Sequence, residues 1–133
     1  IGLIAEFIAQ TPDDFVVLAG SAATLFHALA AGCDGAILAL AALVPGEVVR
    51  METLVAENRL DEARALQRRL MPLARTIGGL HGVPGLKAAL ELMEFAAGPP
   101  RPPLLPVPPQ IVQLLRTQLD SLGVLEKPSE VRG

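Results

Sequence analysis

The chain has 133 residues, 51% hydrophobic and 19% charged, which excludes a disordered segment and implies a substantial core. A net charge of −3 gives no field for nucleic acid or anionic membrane, and four aromatics, all Phe, make no base-stacking platform. Cys33 is the only cysteine, so no internal disulfide can form, and no Cys/His cluster has zinc spacing.

Residues 1–10 read as a helix with Leu3, Ile4, Phe7 and Ile8 on one face. They carry no basic flank and include Glu6, so no signal peptide is visible. Thr11-Pro12-Asp13-Asp14 breaks the helix, and the apolar run at 15–19 suits a parallel strand buried on both faces. Gly20-Ser21 ends it. Residues 22–31 read as a helix closed by Gly32, and 35–40 as a second short strand. The run at 25–44 is apolar, but Asp34 inside it would cost about 2.5–3.5 kcal/mol in a bilayer. Gly32 and Gly35 also split it, so a buried helix and strand fit better than a membrane span.

Pro45 stands where a helix starts, with Glu47 in its first turn, and this helix should run to 57. Strand, helix, strand, helix in so short a stretch implies crossovers and a parallel sheet. The pattern then turns all-helical. A helix at 60–77 places Ala63, Leu66, Leu70, Leu73 and Ile77 on one face, with a kink expected at Pro72 and a stop at Gly78-Gly79. Arg64, Arg68 and Arg69 read as a solvated face pairing with Asp61 and Glu62. Residues 84–95 form a helix with Leu86, Leu90 and Met93 in the core. The stretch 98–109 holds seven prolines and is expected to be extended. A last helix spans 111–122, closed by Gly123, and the tail 126–133 is expected to fray.

The expected class is therefore α/β: two βα units over 1–57, then a helical appendage over 58–133. Two strands cannot cover both of their edges, so the sheet is expected to continue outside this sequence.

Several ordered motifs carry a resemblance. They are F-V-V-L-A-G-S-A at 15–22, G-C-D-G-A-I-L-A-L-A-A-L at 32–43, L-D-E-A-R-A-L-Q-R-R-L-M-P-L at 60–73, and G-V-P-G-L-K-A-A-L-E-L-M at 82–93 with G-P-P-R-P-P-L at 98–104. Together they resemble the C-terminal half of the dihydrodipicolinate synthase and N-acetylneuraminate lyase family. The resemblance implies the last two strands of a TIM (β/α)8 barrel plus its appendage, and a class I aldolase that needs no metal or other cofactor. Such enzymes form a Schiff base between a lysine and pyruvate or another 2-oxo acid, and the iminium serves as electron sink. The resemblance places that lysine upstream of Ile1, together with a catalytic tyrosine, so no catalytic residue is expected in this chain. Within the family the A-G-S-A turn and the G-V-P-G-L-K segment most resemble 4-hydroxy-2-oxoglutarate aldolases, with dihydrodipicolinate synthesis as the alternative. A homodimer or homotetramer is implied. So is a cytoplasmic location, or alternatively the mitochondrial matrix.

Active sites of such barrels lie at the C-terminal strand ends. The resemblance assigns substrate contacts to Gly20, Ser21 and Ile37, the last through its backbone carbonyl. From the residues alone, Gly20 either admits close approach of substrate or simply makes a turn, and Ser21 either donates to substrate or caps a helix. The family often has Asn where Ala42 stands. Lys87 lies on an appendage helix, away from the strand ends. His27 reads as a helix-face residue, His81 as a loop residue without an acidic neighbour, and Cys33 as a small buried apolar group. Arg101 either anchors the proline stretch or is exposed and unpaired. The non-enzymatic alternative is a self-contained helical interaction module. It would be soluble and cooperatively folded alone, whereas half a barrel would aggregate or stay molten.

Overall fold

In the computed structural model, which describes residues 1–125, the elements come in the expected order. Helix α1 (Gly2–Gln10) leads to β1 (Leu18–Ala19), α2 (Leu25–Ala30), β2 (Gly35–Ala36) and α3 (Pro45–Ala56). Then come α4 (Leu60–Ala74), α5 (Gly82–Leu92) and α6 (Pro109–Leu122). Short 3₁₀ turns at Ala22–Thr24 and Ala39–Ala42 precede α2 and α3, and a π segment, Arg75–Leu80, prolongs α4. The tail expected to fray, 126–133, lies outside the described residues. No described helix is long and apolar enough to cross a membrane.

The two strands pair in parallel, Leu18 opposite Gly35 and Ala19 opposite Ala36. Both are shorter than expected. The ladder is extended by single bonds at its ends, from Asp34 N–H to the Val17 carbonyl and from Ile37 N–H to the Ala19 carbonyl, both 2.9 Å. The Asp34 carboxylate also accepts the Val17 N–H at 2.8 Å, so a side chain completes the pairing where backbone register runs out. Beyond Leu38 the expected second strand becomes a 3₁₀ turn. Its Ala-Leu-Ala-Ala sequence is made of strong helix formers without a β-branched residue.

The expectation that β1 is buried on both faces does not hold. Phe15, Val16 and Leu18 are 59%, 62% and 48% exposed, while Ala19 is buried. Among the described residues β1 has β2 as its single neighbour, so nothing covers its other side. Helix α1 shows the same imbalance. Ile4 and Ile8 pack against a small cluster of Ala19, Ala28 and Cys33, whereas Leu3 and Phe7 face outward.

Helices α2, α3, α5 and α6 close in the same way. Gly32 and Gly123 take left-handed φ of 104° and 73°, and the next N–H reaches back five residues, Cys33 to the Ala28 carbonyl and Val124 to the Leu119 carbonyl. Asn58 and Glu94 adopt the same conformation without being glycine. Helix α5 therefore closes earlier than the expected 95, with Phe95 N–H bonded to the Leu90 carbonyl at 3.0 Å. The left-handed φ at Glu94 costs about 1 kcal/mol, and the back-reaching bond offsets it.

The main core is continuous across residues 57 and 58. Leu25, Leu40, Met51 and Leu54 join Leu70, Leu73, Leu115 and Leu119 in one cluster. The α4 face expected from its periodicity is buried in full: Ala63, Leu66, Leu70, Leu73 and Ile77. On α5 the register differs. Leu86, Leu90 and Met93 are only half-buried, and the fully buried positions are Gly85 and Ala89. A Cβ on Gly85 would lie 2.9 Å from His81 Cβ and 3.5 Å from the Thr76 carbonyl oxygen. The tight contact is with His81, at the joint between the π segment and α5, while the π segment's own atoms lie at ordinary contact distance.

Helix α4 runs through Pro72 to Ala74, and Gly78-Gly79 does not stop it; the helix widens there instead. The Thr76 hydroxyl donates to the Pro72 carbonyl at 3.1 Å, and His81 N–H spans five residues back to the Thr76 carbonyl. The proline stretch from 98 to the start of α6 is free of helix and strand, as expected. Two α5 side chains pin its start: Lys87 Nζ donates to the Ala97 carbonyl, and Glu91 accepts the Gly98 N–H at 2.6 Å.

Gly85→Ala should lower stability by about 1–3 kcal/mol in chemical denaturation, because the added methyl would press on the His81 side chain at the start of α5. Gly78→Ala, whose Cβ would meet nothing within 4 Å, should leave stability unchanged or slightly raised. Equal losses in the two variants would contradict this account of the packing.

Candidate active site

The strand ends open onto a cleft of about 290 Å³. Gly20, Ser21 and Leu40 border it from the barrel-like portion, and Arg75, Gly78 and Gly79 border it from the π segment. Gly20 does not need glycine for its backbone angles, since its φ lies outside the left-handed region. A Cβ there would meet nothing within 4 Å. The missing side chain therefore leaves open space at the end of β1, which is what close approach of a ligand requires.

Ser21 precedes the 3₁₀ turn Ala22–Thr24, yet its side chain makes no capping hydrogen bond. Its carbonyl accepts the Thr24 N–H at 3.2 Å. Of the two open roles for Ser21, helix capping is thus not realised, and the exposed hydroxyl remains available to a ligand.

Ile37 comes directly after β2, beside Gly20 through the Ala19–Ala36 register. Its N–H is committed to the Ala19 carbonyl, its side chain is 74% exposed, and it does not border the cleft. The structure brings Gly20 and Ser21 together at the cleft and leaves Ile37 at its edge of the ladder.

Sequence reading missed the residues that the appendage supplies. Gly78 and Gly79 looked like a helix stop but line the cleft as a π segment. Arg75 is the one charged residue bordering it. Gln67 was overlooked on the otherwise apolar face of α4, where a polar residue among Ala63, Leu66 and Leu70 is itself a signal. It is 5% exposed. Its Oε1 accepts the Phe26 N–H at 2.9 Å, and its Nε2 donates to the Ala22 carbonyl at 3.0 Å. Polar atoms buried in such a place need partners, and Gln67 finds them in the turn that carries the cleft.

The remaining candidates do not border the cleft. His27 is exposed on α2, with its ring edge-on to Phe26 at 5.2 Å. His81 joins the π segment to α5. Arg101 is exposed, and its carbonyl accepts the Leu104 N–H. Arg64 pairs with Asp61 as expected. Glu62 instead takes two bonds from Arg59, which hold its carboxyl below the usual range. Arg69 departs from the solvated face: it reaches Glu47 at 3.4 Å and the Leu122 carbonyl at 3.2 Å, tying α4 to α3 and α6. Cys33 is buried as expected; burial first, then the neighbouring Asp34 carboxylate, push its thiol up.

The model of the "Dihydrodipicolinate synthetase family" matches residues 2–122. The chain belongs to this family. Curated members named 4-hydroxy-tetrahydrodipicolinate synthase are similar to it: that of Prosthecochloris aestuarii is 37% identical over 126 residues, and that of Methanopyrus kandleri 35% over 125. Each alignment covers 94% of this chain but 42% of the relative, so the chain spans less than half the length of these family members. The solved dihydrodipicolinate synthase of Thermotoga maritima is 31% identical with a TM-score of 0.86, covering 92% of this chain and 42% of that one. A structure described as a monomeric dihydrodipicolinate synthase variant superposes with a TM-score of 0.84 at 29% identity, covering 93% and 42%.

A raised thiol pKa leaves less thiolate at a given pH, and burial blocks access to what remains. Alkylation of Cys33 by iodoacetamide at pH 8 should therefore be slower in the folded protein than in urea by more than about tenfold. Equal rates would show that the small cluster under α1 is not formed.

Proposed function

We propose that this chain is the C-terminal part of a (β/α)8-barrel aldolase in which a Schiff base to pyruvate drives carbon–carbon bond formation or cleavage. The observation that carries the reading is the family match over 2–122, joined to a cleft at the paired strand ends bordered by Gly20 and Ser21. Ligand sites of such barrels lie at this end of the strands. The outward-facing Phe15, Val16 and Leu18 support a sheet that continues on the open side of β1.

On this reading the iminium is formed by a lysine outside the described residues. Lys87 is bonded to the Ala97 carbonyl beside the proline stretch and does not border the cleft. What the chain contributes is a wall. Gly20 admits the substrate to the backbone, the Ser21 hydroxyl offers a hydrogen bond, and Ile37 is proposed to present its carbonyl from the adjoining strand. Arg75 adds positive charge at the rim, which suits the carboxylates of 2-oxo acids.

The named relatives favour condensation of pyruvate with an aspartate-derived semialdehyde, as in 4-hydroxy-tetrahydrodipicolinate synthase. That reverses the order expected from the turn motifs, which put cleavage of 4-hydroxy-2-oxoglutarate first. We further propose a dimer or tetramer. One similar structure is described as a monomeric variant, so the state of assembly is read from the full-length protein in solution.

Borohydride reduction of the assembled enzyme in pyruvate should leave a pyruvate-derived covalent adduct, mapped by peptide mass spectrometry to a lysine other than Lys87. Absence of any adduct would overturn the Schiff-base mechanism. With the adduct established, faster turnover of pyruvate plus the semialdehyde than of 4-hydroxy-2-oxoglutarate is expected, and the opposite preference would restore the retro-aldol reading.

A further inference from the structure

The turn that carries Gly20 and Ser21 has little to hold it. The ladder behind it is two residues long. The residues ahead of it form a single 3₁₀ turn. Neither Ser21 nor Thr24 caps its helix with a side-chain hydrogen bond. The first N–H groups of a helix have no partner inside the helix. Here that leaves the buried Phe26 N–H at the start of α2, next to the half-buried carbonyls of Ala22, which also accepts Leu25 N–H, and of Ala23.

One side chain takes all three. Gln67 Oε1 accepts from Phe26 at 2.9 Å, while Nε2 donates to Ala22 at 3.0 Å and to Ala23 at 3.4 Å. It comes from α4, more than 40 residues further along the chain. It is nearly fully buried, at the floor of the open groove between α2 and α4. A glutamine is the one uncharged side chain of this length with both a donor and an acceptor at its tip, which the site requires. Leu66 and Leu70 on either side belong to the main core and fix the helix that delivers it.

We infer that Gln67 is a positioning residue: through Ala22, Ala23 and Phe26 it holds the Gly20–Ser21 turn at the geometry that meets substrate. This inference rests on the function proposed above. It also gives the appendage a role in the reaction, because α4 supplies the bond to the buried Phe26 N–H and the ties to Ala22 and Ala23.

The test uses the assembled enzyme with Gln67→Met and Gln67→Glu. Methionine keeps the length and removes every hydrogen bond. Glutamate keeps the acceptor for Phe26 but loses the donor to Ala22 and Ala23. Hydrogen exchange should show the Phe26 amide deprotected in Gln67→Met and near wild type in Gln67→Glu. Both variants should raise KM for pyruvate about tenfold or more, with kcat changed much less. A purely structural role predicts a lower melting temperature with KM unchanged, and that result would overturn the inference. So would unaltered protection of Phe26 in Gln67→Met, or a wild-type KM in Gln67→Glu, which also decides the matter if the methionine variant fails to fold. Should wild-type enzyme trap no pyruvate on borohydride, the aldolase reading itself fails, and the positioning role goes with it. A normal adduct with unchanged KM in the variants sinks the positioning role alone.

Discussion

The arrangement depends on a buried amide that bonds across two parts of the chain. The strands are too short to fix their own ends, and the segment after β1 turns at once into a 3₁₀ coil. The Phe26 N–H there would otherwise be buried without a partner, at about 1–3 kcal/mol, and the half-buried Ala22 and Ala23 carbonyls beside it take further bonds. Gln67 satisfies them from α4, and the apolar stripe of α4 secures Gln67 in turn. Packing energy is thereby converted into the placement of a turn.

The same logic explains the shape of the cleft. Its far side is the π segment, where helix α4 loosens after Pro72 and keeps two glycines facing open space. A regular helix with side chains at those positions would fill the opening. Gly85, with no Cβ to press on His81, lets α5 begin directly after this segment and pack against it. Small residues thus do opposite things within one stretch: Gly85 permits contact, and Gly78 and Gly79 preserve a void.

Much of this was legible from the residues. The helices of the appendage arise from a 3.6-residue apolar period, and the α4 stripe matches that period residue by residue. The parallel relation of 15–19 to 35–40 came from two short apolar runs separated by a helix. Three things were not legible. Strand length failed because the Ala-Leu-Ala-Ala run is apolar in either state, and its helix propensity decided locally. Burial of Phe15, Val16 and Leu18 failed because it needs a neighbour that the described residues do not include. The π segment failed because paired glycines ordinarily signal an end, and only the tertiary seat of α5 shows otherwise. At the site, Gly20 and Ser21 were legible from the motif, while Arg75, Gly78 and Gly79 reach the cleft through packing between distant segments.

The proposed function makes one claim that can be checked directly: the open space in front of Gly20 receives the 2-oxo acid. A crystal structure of the assembled enzyme, reduced with borohydride in the presence of pyruvate, measures this directly. The account predicts adduct atoms in van der Waals contact with Gly20, at about 4 Å, and within hydrogen-bond reach of the Ser21 hydroxyl. An adduct found elsewhere in the protein, with that space filled by ordinary solvent, would contradict it.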